Sequence, residues 1–215
     1  MAVPEKLTEE NFAYGLSVLA SHDPDLAKIF NILGSPPFWV REASFATLIQ
    51  IILEQQVSVA SAFSVFARLE ATISPITPEN FLTLDDDRIK KIGFSRQKAV
   101  YGRELAQSIV TGEVDLTSFD TMDDEDIRAI LKKLKGIGDW TVDIYLLFAL
   151  RRGDSLPSKD LALAIAIQKV KQLEERPKPQ EIEAIAEIWR PWRGVATRLL
   201  WHYYLHKPDL SKKSV

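Results

Sequence analysis

The 215-residue sequence contains no cysteine, which removes disulfides, thiolate zinc sites, cysteine-ligated iron-sulfur clusters and a cysteine nucleophile. With only 3 histidines, chemistry falls to carboxylates, hydroxyls, amides and aromatic rings. A surplus of either charge is also missing: 27 Lys+Arg stand against 30 Asp+Glu, a net charge of −3 with a pI near 5.7. That balance excludes a globally basic coat for nucleic acid, although it averages over local patches. No apolar run approaches the ~18 residues of a membrane span. The opening MAVPEKLTEENF lacks a basic segment followed by an apolar one, so an unexported chain with no membrane partner is expected.

What is present is helical periodicity. Phe45, Leu48, Ile49, Ile52 and Leu53 recur at helical spacing, and Val59, Phe63, Phe66 and Leu69 extend the apolar pattern after a break near Val57-Ser58. Thr8 with Glu9 and Glu10, Ser95 before Arg-Gln-Lys, and Asp123-Asp-Glu-Asp126 mark helix starts. No segment sustains strand alternation, and only 9 glycines fit helices joined by short connections. The fold class expected is all-α. The two prolines of Glu175-Arg-Pro-Lys-Pro-Gln read as a spacer between helices.

The most informative stretch runs from Leu131 to Leu147, LKKLKGIGDWTVDIYLL. An acid-capped helix from about Asp123 to Leu134 meets Gly136-Ile137-Gly138, and a second amphipathic segment starts at once. Glycine at Gly136 and Gly138 permits positive φ and close approach of another backbone, while Ile137 plugs the angle between the helices. The amides of Gly138 to Thr141 then lie at a helix N-terminus, where unpartnered donors and the dipole favour an anion such as phosphate. A bare Gly-x-Gly is also compatible with an ordinary helical hairpin. Lys132, Lys133 and Lys135 crowd the entry, and between Arg128 and Asp160 seven basic residues face four acidic ones, enough for a few salt-sensitive phosphate contacts.

Four blocks, in order, carry a family resemblance: Ile51-Ile-Leu-Glu-Gln55-Gln56-Val-Ser58, the hairpin Leu134-Lys-Gly136-Ile-Gly138-Asp-Trp140-Thr141-Val-Asp143, the loop Asp154-Ser-Leu-Pro157-Ser-Lys-Asp160, and Ile188-Trp-Arg-Pro191-Trp192-Arg193 through Trp201. Together they resemble the helix-hairpin-helix DNA glycosylases, in the 3-methyladenine branch that serves alkylation repair. The resemblance implies two helical lobes, one of about residues 41 to 150 with the hairpin at 123 to 150, the other of about 1 to 40 plus 151 to 215, with a substrate cleft between them. It implies double-stranded DNA with damaged bases as partner, a monomer, and a home in the bacterial or archaeal cytoplasm (nucleoid) or the eukaryotic nucleus.

Residue by residue, the resemblance makes Asp160 the catalytic carboxylate, where alone it would read as a helix N-cap. Trp140 and Trp201 match aromatic positions of the base pocket, where an electron-rich indole stacks on a cationic base, and each also suits core packing. Tyr145 is assigned to the base pocket as well, next to Ile144, which occupies the position of a pocket tyrosine in some relatives. Trp140 also stands where bifunctional members place a nucleophilic lysine, which implies excision without strand-cleaving lyase chemistry. Gln55 and Gln56 fall on the turn that wedges into DNA, with Gln56 at the inserting position; a solvated helix end is the plain alternative. Gly136, Gly138, Thr141, Lys133 and Lys135 are the expected DNA contacts. No cofactor is required, although the carbonyls of Lys132, Leu134 and Gly136 match those that hold a sodium or potassium ion in relatives. The implied reaction is hydrolytic excision of alkylated bases, chiefly 3-methyladenine. The rivals are another lesion on the same fold, such as hypoxanthine, 1-methyladenine or uracil, and a non-catalytic binder of damaged DNA. His202 and His206 share a helix face, but no third metal ligand is evident.

Overall fold

In the computed structural model, which describes residues 6–208, twelve α-helices follow one another and no β-strand forms among the described residues. In chain order they are α1 (Glu9–His22), α2 (Pro24–Leu33), α3 (Phe45–Glu54), α4 (Val59–Thr72), α5 (Pro78–Leu82) and α6 (Asp86–Ile92). Then come α7 (Arg96–Val110), α8 (Asp124–Leu131), α9 (Asp139–Phe148), α10 (Leu161–Val170), α11 (Pro179–Ala186) and α12 (Arg193–His206). The all-α expectation holds.

Helix starts follow local chemistry. Thr8 and Asn11 form a reciprocal capping box at α1, Ser95 Oγ accepts the Lys98 amide at α7, and Asp123 accepts the amides of Glu125 and Asp126 at α8. Each cap satisfies an otherwise orphaned donor and stabilises its helix by about 1 kcal/mol. The break near Val57-Ser58 is real: α3 ends at Glu54, and Ser58 caps α4.

Two compact units emerge. The first, Arg41–Tyr145, buries Leu48, Ile49 and Ile52 of α3, Phe81 of α5, Leu105 of α7 and Leu131 of α8. Phe81 lies edge-on between Phe45 and Phe94, at centroid distances of 5.7 Å each. The second joins residues 6–40 to 146–208. Its core holds Phe12, Leu16, Leu26, Ile29, Leu163, Ile167, Trp189 and Leu199. Here α12 is buried continuously from Gly194 to Leu200, as a central helix must be.

One expectation fails within the first unit. The periodic set on α4 is no core stripe: Val59 and Phe63 are 76% and 65% exposed, and only Ala62 and Leu69 are buried on that helix. Spacing alone fixes which side chains share a face, and tertiary packing decides which face turns inward.

Candidate functional site

The hairpin lies in the first unit. Helix α8 stops at Leu131, one turn earlier than expected, and short i to i+3 bonds carry the chain onward from Lys133 to Ile130 and from Leu134 to Leu131. Gly136 takes φ +80°, and a Cβ there would lie 2.0 Å from the Tyr101 ring, so glycine is required twice over. Gly138 has neither constraint: its φ is not positive, and a Cβ would enter open space. Ile137 is buried as expected. The Gly138 carbonyl accepts the Val142 amide, which makes Gly138 the residue that opens α9. Trp140 is half-buried and Thr141 buried in the first turn.

The α3 to α4 turn is bonded to this hairpin. Gln55 Nε2 donates to the Gly136 carbonyl at 2.8 Å and to Thr141 Oγ1 at 2.9 Å. Both hydrogens of that amide are thereby engaged inside the protein, so Gln55 is a turn-to-hairpin strut and its amide donors are not offered to DNA. Gln56 is the outward residue, exposed and at φ +57°, a backbone conformation that costs a non-glycine residue about 1 kcal/mol or more. Lys98 Nζ donates to the Leu53 and Gln55 carbonyls, both at 2.8 Å, and burial lowers its pKa.

The cationic footprint is smaller than the residue count suggests. Lys132 pairs with Asp139 at 2.5 Å, Lys135 Nζ stands 4.0 Å from Glu104, and Arg128 binds Asp143 at 2.7 Å. Lys133 is exposed. Two of the pairing acids, Asp139 and Asp143 on α9, belong to the same stretch, and only Glu104 on α7 comes from outside it.

Tyr145 departs from its expected place. It is 0% exposed and packs edge-on against Phe119 at 6.4 Å, and burial pushes its phenol well above the ordinary value. Its ring fills the core, so it does not line a pocket.

Asp160 lies in the second unit as the N-cap of α10. Its Oδ1 accepts the Leu163 amide at 2.8 Å and the indole Nε1 of Trp201 at 3.0 Å. The cap reading is met on the carboxylate to which the resemblance assigns catalysis. The preceding loop is pinned to the start of α12: Arg193 grips Asp154 through Nε to Oδ1 and Nη2 to Oδ2, both 2.9 Å, and the Gly194 amide donates to the Gly153 carbonyl at 2.8 Å. A Cβ on Gly194 would meet that carbonyl oxygen at 2.8 Å. Trp192 lies half-buried beside α1, in edge contact with Tyr14.

Behind Trp201 stands an aromatic and cationic support. Trp201 stacks on Phe148 with ring centroids 5.6 Å apart and planes 6° apart. The guanidinium of Arg198 lies 5.0 Å from the Phe148 centroid and 5.5 Å from that of Phe38. Arg198 is 0% exposed and donates to the carbonyls of Leu147 (2.8 Å) and Trp39; burial brings its pKa down to about 10, so it stays charged. His202 and His206 pack ring to ring at 4.4 Å, and no metal-binding cluster of His, Asp and Glu occurs among the described residues.

Sequence reasoning missed Lys98, Tyr101, Glu104, Phe148 and Arg198. The first three recur every third residue along α7, a polar stripe that could have flagged a helix facing something other than a core. Arg198, inside the apolar run of α12, was visible as an anomaly.

Residues 49–191 match the HhH-GPD superfamily of base excision DNA repair proteins, two-thirds of the chain, and the protein belongs to that family. The chain is 28% identical over 184 residues to the Bacillus subtilis protein YfjP, whose name assigns it provisionally to the DNA-3-methyladenine glycosylases, covering 82% of this chain and 64% of that one. It is 26% identical over 165 residues to DNA-3-methyladenine glycosylase 1 of Schizosaccharomyces pombe, covering 75% and 72%. Among solved structures, the S. pombe 3-methyladenine DNA glycosylase Mag1 in complex with abasic DNA superimposes with a TM-score of 0.85 at 24% identity, over 93% of this chain and all of that one.

Proposed function

We propose that the protein is a monofunctional DNA glycosylase that excises alkylated bases, chiefly 3-methyladenine, from duplex DNA and leaves an abasic site. The observation that carries this reading is Asp160, a half-buried carboxylate fixed by the Leu163 amide and the Trp201 indole. Breaking an N-glycosidic bond builds positive charge on the sugar. A carboxylate already held in place stabilises that charge without reorganising, and more in the transition state than in the ground state.

The balance of the reaction suits one carboxylate. The bond from C1′ to the base nitrogen breaks with its electron pair going to the base, which neutralises a cationic alkylpurine and makes a strong general acid unnecessary. A water oxygen bonds to C1′, and its proton passes to Asp160 or solvent. Trp140 stands where a Schiff-base lysine would be needed for lyase chemistry, so hydrolysis ends the reaction. Extruding the base costs a few kcal/mol. Gln56, outward at its strained turn, is the residue assigned to fill the gap, and the first amides of α9 with Lys133 are assigned to a phosphate. Trp201, bonded to Asp160 within the second unit, supplies indole surface for a cationic base, and the resemblance assigns Trp140 to the same task. The carbonyls of Lys132, Leu134 and Gly136 would hold a sodium or potassium ion, which would supply positive charge for a phosphate; the Gly136 oxygen already accepts from Gln55 and the Leu134 oxygen from the Ile137 amide.

The test is release of free base from methylated duplex DNA. The wild type should release 3-methyladenine and leave alkali-sensitive sites, and Asp160→Asn should retain lesion binding while excision falls by on the order of 10²- to 10³-fold. Borohydride should trap no covalent adduct. Retained excision by Asp160→Asn would remove that residue from its role, and a robust adduct would overturn the monofunctional assignment.

A further inference from the structure

Within the first unit, one face of α7 organises both elements assigned to DNA. Lys98, Tyr101 and Glu104 stand three residues apart, and each holds a different piece. Lys98 ties down the end of α3 through the Leu53 and Gln55 carbonyls, where a cation also offsets the helix dipole. Tyr101 packs where a Cβ of residue 136 would be. Glu104 accepts the Lys135 amide at 2.9 Å. The circuit closes through Gln55, which spans from the turn to Gly136 and Thr141. The turn so held carries Gln56 at φ +57°, a conformation that persists only when its surroundings over-determine it.

We propose that Gln55 and Lys98 are positioning residues that lock the Gln56 turn to the hairpin, so that phosphate grip and insertion of Gln56 into the duplex occur as one coupled step. The proposal rests on the glycosylase reading above and specifies how its wedge is aimed. The role assigned to both is exerted through Gln56 and the hairpin. The Gln55 side chain delivers both amide hydrogens to the hairpin, while the Lys98 ammonium fixes the Gln55 carbonyl, one bond from the Gln56 amide. With the strut gone, Gln56 is free to leave its strained conformation, and a wedge that must refold on each encounter fills the gap less often. The hairpin retains its own helix N-terminus, so binding to undamaged duplex should change little.

A double-mutant cycle separates positioning from general stability. The readouts are single-turnover excision and the fluorescence of 2-aminopurine placed opposite the lesion, which reports extrusion whether or not the base is cut. Gln55→Ala should lower both extrusion and excision by about tenfold, the scale of two hydrogen bonds lost from a half-buried site, with affinity for undamaged duplex within about twofold. Lys98→Met should act in the same direction, and Lys98→Arg should recover part of the loss. In a Gln56→Ala background, Gln55→Ala should have little further effect, because the residue it aims is gone. A full loss persisting in that background, or unchanged extrusion in both Gln55→Ala and Lys98→Met, would overturn the clamp. So would the absence of any fluorescence change with the wild type. If the wild type extrudes but releases no base, the excision reading fails while the cycle still decides the clamp.

Discussion

The second unit contains the same local device twice. Asp23 caps α2, accepting two helix amides, and Asp160 caps α10, accepting that of Leu163; each carboxylate also accepts the indole N–H of a tryptophan, Trp189 at 2.8 Å for Asp23 and Trp201 at 3.0 Å for Asp160. Asp23 is only 1% exposed and takes two bonds of 2.8 Å from Lys171 Nζ, which also reaches Asp25 at 3.1 Å. Asp160 is half-buried, behind a loop anchored by Arg193 and beside an indole stacked on Phe148. A capped, indole-bound aspartate is therefore no signature of chemistry by itself. Access and neighbours separate a carboxylate that ties a core from one that can face a reacting sugar.

Exchanging the same substitution between the two sites tests that contrast most strongly. Asparagine caps a helix about as well as aspartate, so Asp160→Asn should lower excision by on the order of 10²- to 10³-fold with a melting transition close to the wild type. Asp23→Asn should do the reverse. It should cost about 2 to 3 kcal/mol in chemical denaturation, below the loss for orphaning a buried charge completely because Lys171 keeps Asp25, and leave excision per folded molecule unchanged. A destabilised Asp160→Asn, or an inactive but stable Asp23→Asn, would dissolve the distinction.

The indoles offer a finer comparison. Trp201→Phe keeps a ring against Phe148 but removes the donor to Asp160, and excision should fall by about tenfold, the scale of one hydrogen bond to a charged group. An unchanged rate would show that the indole nitrogen does not orient the carboxylate.

The smallest effect expected is on acid stability. Burial pushes the Asp23 carboxyl up, but the hydrogen bonds from Lys171 and Trp189 together with the Lys171 charge outweigh it, and the net shift is downward. A carboxyl lowered in the folded state contributes stability that is present above the ordinary carboxylate range and lost as pH falls through the folded value. Denaturation followed below pH ~4 should show this slope, and Asp23→Asn should flatten it; an equal slope in the variant would assign the acid sensitivity to other groups.

What was legible in the sequence was local. Caps at Thr8, Ser95 and Asp123 sit within three residues of the amides they satisfy, and the Gly-Ile-Gly corner between α8 and α9 is set by the φ that Gly136 requires. Asp160 was legible as a residue, by its place in the Leu-Pro-Ser-Lys-Asp loop, and its hydrogen bond to Trp201 across 41 positions was not. The errors share one origin. Lys132 and Lys135 were counted as a cationic patch, because a count of charges gives Asp139 without showing that it pairs with Lys132, and Glu104, the neighbour of Lys135, lies outside the stretch altogether. Gln55 was assigned to DNA because its bonds to residues 81 and 86 positions away leave no local trace. Tyr145 was assigned to a pocket because Phe119, the ring that buries it, is distant in the chain.

The sequence by itself determined that this protein is helical, where several helices begin, and that its hairpin and its Asp160 loop resemble those of base excision enzymes. Those properties follow from short-range sterics, capping and the order of motifs along the chain. Only the tertiary structure decided that Lys132 beside the hairpin is paired with Asp139, that Gln55 faces inward while Gln56 faces out, and that Asp160 and Asp23 differ in access despite sharing a local bond pattern. Burial and pairing are set by what packs against a residue, and here the decisive partners come from other helices.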